Sequence, residues 1–163
     1  MPSVLLSDLE SDTRTKVEAW LSALRAQGIS LRVLATKITR EEQNGLYAIG
    51  RGFADDREPV TFRKGGESWH QTGRAIDVVP LANATPIDPL FADAEKEARY
   101  MANPDRALLI PIWKAVIFEA ESAGLVWGGT LERPEWNHFE NPGPYSSPIK
   151  AWAIERPAVL KYV

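Results

Sequence analysis

The chain has two histidines, His70 and His138, and no cysteine. Both histidines stand near acids. In "SWHQTGRAID" (68–77), His70 precedes Asp77 by seven residues across a loop containing Gly73, and in "PEWNHFE" (134–140), Glu135 precedes His138 by three. A catalytic zinc takes three protein ligands, typically His with Asp or Glu, and keeps one position open. His70, Asp77 and His138 supply that set, and with no thiolates in the chain only imidazole and carboxylate can hold a metal. A carboxylate beside the ion can take a proton from water, whose pKa the metal lowers from about 15.7 to about 7, and pass it to a departing amine. Glu135 and Glu140 both lie close enough in sequence to His138 for that work.

Each motif also has a plainer reading. One histidine before a strand is usually a surface or a satisfied core residue, and one aspartate is usually a cap or an ion-pair partner. For either motif alone the two readings weigh about evenly. Together they favour chemistry, because both imidazoles of the chain fall in motifs that complete one ligand set.

The positioning elements follow from the same stretches. If "AID" is a strand, Asp77 shares a face with Ala75 and opposes Ile76, so one side can be core and the other site. The loop "QTG" must then fold His70 back over that face, and Gly73, with no Cβ, permits so tight a turn. Helical spacing would put Glu135 and His138 on one face. Pro134 and the shortness of the segment favour instead a loop running into a strand. Alternation from His138 then puts Glu140 on the same strand face, as a partner of the ring or as a solvated charge.

Elsewhere, Val17, Trp20, Leu21 and Leu24 recur at helical spacing, which predicts a helix over 12–27 capped by Ser11 or Asp12 and stopped at Gly28. "ISLRVLA" alternates as a half-buried strand. Thr39 and Glu42 have capping-box spacing and open a short helix that ends at Gly50. "RGFADDREP" reads as loop, "VTFR" as a short strand and "KGGES" as a turn. "RAIDVVPL" reads as a buried strand stopped by Pro80 and "NATPIDP". Trp113, Val116, Ile117 and Ala120 mark a second long helix up to Gly124, with Pro111 near its start. "LVWGG" and "NHFE" read as short strands around "TLERP". Helices flank short strands with no regular β-α-β alternation, so the expected class is α+β: a small antiparallel sheet flanked by helices, with the cleft for the metal. One domain over 1–163 is expected, with its core in 12–140 and a tail over 141–163 that includes Trp152 and Tyr162.

Composition excludes several classes. The 44% hydrophobic and 25% charged content is that of a globular protein, and apolar runs such as "ALLIPIW" fall short of the roughly 20 residues that span a bilayer, so no membrane insertion is expected. A net charge of -3, with Lys64, Arg74, Arg99 and Lys114 scattered among acids, argues against nucleic acid. "MPSVLLSDLESDTRTK" has neither a basic n-region nor an apolar h-region, so no export signal is expected. The expected state is a monomer.

With its two motifs the chain resembles the zinc peptidases that cleave peptidoglycan stem peptides, a group holding D-alanyl-D-alanine carboxypeptidases and dipeptidases and L-alanyl-D-glutamate endopeptidases. Their pattern, Ser-x-His-x-x-Gly-x-Ala-x-Asp followed by acid-x-x-His, is matched by Ser68, His70, Gly73, Ala75, Asp77, Glu135 and His138. "EEQNGLYAIGR", "VTFRKGGES" and "GLVWGG" resemble segments of phage and bacillus endopeptidases of the group, so that the resemblance covers roughly 12–140. It implies Zn2+ bound by His70, Asp77 and His138, Glu135 as catalytic base, Gln43 and Ser68 near the substrate, and Trp127 as a wall of the cleft or as plain core.

The resemblance also implies a peptidoglycan stem peptide as substrate, most simply cleaved at the L-alanyl-D-glutamate bond by a phage-type endolysin made in the host cytoplasm and acting on the wall after release. The alternatives are a D-alanyl-D-alanine carboxypeptidase and a non-catalytic wall-binding zinc module. One position departs from the pattern. Relatives usually carry an arginine five residues before Gln43, able to stabilise an oxyanion, where this chain has Ile38. Loss of one such donor costs about 10²–10³ in rate, so Lys37, Arg40 or Arg51 substitutes for it or the metal polarises the carbonyl alone. The base, moreover, is Glu where many endopeptidases of the group have Asp.

Overall fold

The computed structural model describes residues 1–82, 85–86, 111–133 and 135–148. Most of "NATPIDP", Pro134 and the tail residues Trp152 and Tyr162 lie outside the described residues. Helix α1 spans Ser11–Ala26. Its cap is Glu10, neither Ser11 nor Asp12: the Glu10 carboxylate accepts from the amides of Asp12 and Thr13, both at 3.1 Å. A carboxylate of this length reaches the open amides as an aspartate one position later would. Strand β1 (Ser30–Ala35) follows, with Leu31 and Val33 half-buried and Arg32 and Leu34 exposed. Helix α2 (Arg40–Ala48) opens with the expected capping box, Thr39 Oγ1 accepting from Glu42 N and Glu42 from Thr39 N.

Strand β2 (Ala75–Ala82) forms the centre of the sheet, antiparallel to β1 on one flank and to β5 (His138–Glu140) on the other. The two-residue β4 (Val126–Trp127) pairs with β5, and β3 (Thr85–Pro86) pairs with the far end of β2. The α+β expectation holds, with every described pairing antiparallel. Pro80 does not stop β2; it lies within the strand, opposite Leu31. Val78 N donates to Asn137 O on the β5 flank. By the strand's period of two, the Pro80 nitrogen faces that same flank, between the residues paired with β5 and those paired with β3, where no described pairing calls for a donor.

Helix α3 (Pro111–Ser122) buries Trp113, Val116, Ile117 and Ala120, as its spacing predicts, against Val17, Trp20 and Leu24 of α1. Both helices lie over the sheet face carrying Ile76, Val78 and Phe139. Trp20 joins the layers: its ring centroid is 4.6 Å from that of Phe139, and its indole N–H donates to Val116 O at 2.9 Å. The opposite face is thereby left to Ala75, Asp77, His138 and Glu140.

"VTFR" forms no strand. Side chains take the place of a ladder along it: Gln43 Nε2 donates to Arg63 O at 2.7 Å, and Arg51 Nη2 to Thr61 O at 2.9 Å. With its carbonyls satisfied this way, the segment folds over α2 and does not join the sheet. No helix among the described residues is long and apolar enough to cross a membrane.

Candidate metal centre and active site

Asp77 and His138 are direct partners across β2 and β5, so the pleat points both side chains to one face. His70 arrives from a 3-10 turn, Trp69–Thr72, capped by Ser68, whose Oγ accepts from His70 N at 3.3 Å. Gly73 closes that turn at φ +70. A Cβ there would lie 2.7 Å from Asp8 O and 2.8 Å from Glu10 N, so a side chain would push the turn off the N-terminal segment. The ligand atoms of His70, Asp77 and His138 all lie within 4.8 Å of one another. That is close to the span of one ion with bonds of about 2.0–2.2 Å.

The hydrogen bonds behind the two rings decide which nitrogens can ligate. His70 Nδ1 is 2.8 Å from Thr36 O, and a carbonyl only accepts, so Nδ1 donates to it and Nε2 is left facing Asp77 at 3.2 Å. His138 Nε2 is 3.0 Å from Glu140 Oε2 and donates to it, which turns Nδ1 to Asp77 at 2.9 Å. Each ring is thus aimed by an acceptor on its outer nitrogen, the usual support of a metal-binding imidazole. Glu140, buried on the His138 face, is the ring's partner and not a solvated charge.

The charges fit a metal as well. Burial alone would raise the Asp77 pKa, but the His70 and His138 imidazoles hold its carboxyl well below the usual carboxylate range. Burial would depress His138, yet hydrogen bonds to Asp77 and Glu140 and the charges of Asp77 and Glu135 push it up to about 10. With no ion bound, a proton occupies the position a divalent cation would take.

Glu135 stands at the rim of this group. Its Oε2 is 3.8 Å from His138 Nδ1 and its Oε1 3.9 Å from Arg63 Nε, both too long for a hydrogen bond. Gly128 sets its position: Glu135 N donates to Gly128 O at 3.0 Å, and a Cβ at 128 would lie 2.3 Å from Glu135 O. His70, Asp77 and Glu135 line a cleft of about 180 Å³ together with Ile38, Gln43, Thr61, Arg63, Ser68 and Asn137, and His138 stands behind Asp77.

Six of the seven expected site residues therefore meet here: His70, Asp77, His138, Glu135, Gln43 and Ser68. Trp127 does not. It is core, its indole N–H donating to Trp136 O at 2.8 Å, because β4 turns it to the Phe139 side of the sheet. Ile38 is buried at the cleft wall. Of the proposed substitutes for an arginine there, none lines the cleft, and Arg51 is spent on the carbonyls of Tyr47 and Thr61 and on the Tyr47 ring. Sequence reading missed Arg63, which does line it. A strand reading of "VTFR" hid that residue, although a basic side chain immediately before a glycine-rich turn was visible.

A His–Asp–His group with a carboxylate beside it could hold a metal ion and suits a metal-dependent hydrolase. Comparison with known proteins narrows the class. Residues 61–141 match the family model described as D-alanyl-D-alanine carboxypeptidase. The peptidoglycan L-alanyl-D-glutamate endopeptidase CwlK of Bacillus subtilis (strain 168) is 28% identical over 135 residues, covering 82% of this chain and 74% of that protein. The crystal structure of Serratia marcescens L-Ala D-Glu endopeptidase ChiX is 21% identical, with a TM-score of 0.49 over 83% of this chain and 81% of that chain. The family read from the two motifs is the one these comparisons support, and the segment matched by the family model contains both motifs.

Proposed function

We propose that the chain is a zinc-dependent endopeptidase that hydrolyses the L-alanyl-D-glutamate bond of peptidoglycan stem peptides. One observation carries the reading: both imidazoles, each held by an acceptor on its outer nitrogen, turn their inner nitrogens to Asp77, beside a cleft that Glu135 lines. His70 Nε2, Asp77 Oδ1 and His138 Nδ1 would hold the ion. Zinc, when bound, supplies Lewis acidity, drawing electrons from a carbonyl oxygen and making water acidic enough to ionise near neutral pH.

The chain's own groups do the rest. Glu135 takes a proton from the attacking water, whose oxygen bonds to the alanyl carbonyl carbon; the C–N bond breaks, and Glu135 returns the proton to the departing glutamyl nitrogen. Ser68 holds the His70 turn in shape, and Gln43 braces the wall that faces the substrate. CwlK, an L-alanyl-D-glutamate endopeptidase matched over most of both chains, supports the choice of bond. The family description favours a second reading, release of terminal D-alanine. Digestion of purified muropeptides separates them: new glutamyl amines support the first, and free D-alanine in their place overturns it.

The setting we propose is that of a phage-type endolysin, made in the host cytoplasm and acting as a monomer on the wall after release. The segments resembling phage endopeptidases support it. Induced alone, the protein should leave host cells intact, and with a membrane-permeabilising partner it should lyse them; lysis without the partner would overturn the setting. A wall-binding module without catalysis would show itself if the wild type and Glu135→Ala were equally inert on sacculi while both held zinc.

A further inference from the structure

The reaction above leaves one charged side chain of the cleft unused. Arg63 is half-buried and lines the cleft with Asp77 and Glu135. Its main chain is fixed on both sides, its carbonyl accepting from Gln43 Nε2 at 2.7 Å and its amide donating to Thr61 Oγ1 at 3.2 Å. The side chain is held loosely: Nη1 donates to Glu67 O at 3.3 Å, and Nε stays 3.9 Å from Glu135 Oε1. Among the described lining residues it is the only permanent cation, and it faces two acids.

A guanidinium so placed suits a planar anion that binds next to the base. A D-glutamyl residue joined onward through its γ-carboxyl keeps its α-carboxylate on the carbon bonded to the scissile nitrogen. A terminal D-alanine has the same group at the same place. Because Glu135 must approach that nitrogen to return the proton, the substrate carboxylate arrives close to the Glu135 carboxylate, and two like charges at that range repel. A cation beside Glu135 in the same cleft offsets the repulsion and offers a fork of donors.

We infer that Arg63 binds the free α-carboxylate on the leaving-group residue and makes the cleft selective for that carboxylate over the corresponding α-carboxamide. This rests on the peptidase reading and adds to it a chemical criterion for the substrate.

The test uses the zinc-loaded full chain and soluble peptides in matched pairs: L-alanyl-γ-D-glutamyl-lysine against its α-carboxamide, and a D-alanyl-D-alanine-terminated peptide against its terminal amide. Released amines give kcat and KM for each. Wild type should prefer the carboxylate member of the pair it cleaves by on the order of tenfold or more, as expected for a hydrogen bond between charged groups. Arg63→Gln should bring that ratio close to one, chiefly through a higher KM for the carboxylate peptide. Arg63→Lys, which keeps the charge but loses the fork, should retain part of the preference, and it carries the comparison if the Gln variant melts early. A wild-type ratio near one, a ratio unchanged in both variants, or an equal loss on both members of a pair overturns the role of Arg63 and leaves the peptidase assignment standing. A wild type that cuts none of the four peptides removes both. Which pair is cleaved separates the glutamyl source of the carboxylate from the alanyl one.

Discussion

On one side of the cleft, Asp77 and His138 face each other across a strand pair, and an acceptor behind each imidazole fixes its direction. On the other side, Thr61 and Arg63 belong to no strand and hang from the side chains of Gln43 and Arg51. The first wall is set by backbone pleat and buried partners, so a ligand cannot drift without breaking the sheet. The second depends on a few hydrogen bonds, each worth about 0.5–1.5 kcal/mol net, and can be reshaped without unfolding anything. On the proposed reading, metal chemistry belongs to the rigid wall and substrate choice to the adjustable one, a division in keeping with the precision each task needs.

The comparison breaks most sharply at the ligands. His138→Ala should abolish zinc binding and hydrolysis together, while Glu135→Ala should abolish hydrolysis with zinc retained at one equivalent; metal analysis of the purified variants beside a muropeptide assay reads both. Next in size is pH. Metal must displace the proton on His138, whose pKa is pushed up to about 10, so apparent zinc affinity should rise with pH below that value by about tenfold per unit, with proton release visible by calorimetry in buffers of different ionisation enthalpy.

Stability of the metal-free protein should run the opposite way. A raised His138 pKa contributes stability that is fully present below about pH 6.5 and lost as pH rises through about 10. The lowered Asp77 pKa contributes stability above about pH 4 that is lost as pH falls through its folded value. Melting temperature of the metal-free chain should therefore fall from neutral pH toward 10. The zinc-loaded chain should escape that alkaline loss, since its His138 is already deprotonated; parallel curves for the two forms would contradict the assignment of His138 as a ligand.

Smaller effects probe the supports. Glu140→Gln keeps an acceptor for His138 Nε2 but removes its charge, and should weaken zinc binding by about 10–100-fold in a chelator competition without moving the fold. Smallest is Gln43→Ala on the adjustable wall. It frees the Arg63 carbonyl and should cost about 1 kcal/mol of stability, with a several-fold rise in KM and full zinc content. If Gln43→Ala lost zinc as well, the two walls would be one mechanical unit and the contrast would fail.

The rigid wall was also the legible one. A β-branched run after a glycine turn fixes which face Asp77 takes, and alternation from His138 predicts where Glu140 must point. The capping box at Thr39 and the apolar spacing in α3 were equally plain, because those signals are local. Three features were not. Glu10 as cap depends on a side-chain reach that position rules ignore, and Pro80 within β2 is tolerated because it falls between the stretches paired with β5 and with β3. "VTFR" has strand propensity, but Gln43 and Arg51, a turn of helix or more away in sequence, claim its carbonyls. Trp127 was open between cleft and core on sequence, and only its pairing with Phe139 decides for core.

Thr36, whose carbonyl directs His70, is itself fastened by the first residues of the chain: its amide donates to Ser3 O at 2.7 Å, and its hydroxyl to the carbonyls of Ser3 and Leu5. A minimal cassette cut to 61–141 would keep every ligand and the base, yet lose the backing that steers one imidazole. Grafting this chemistry into another scaffold therefore means transplanting a remote N-terminal brace along with the motifs, and trimming or tagging near Ser3 is an unsuspected way to detune the enzyme.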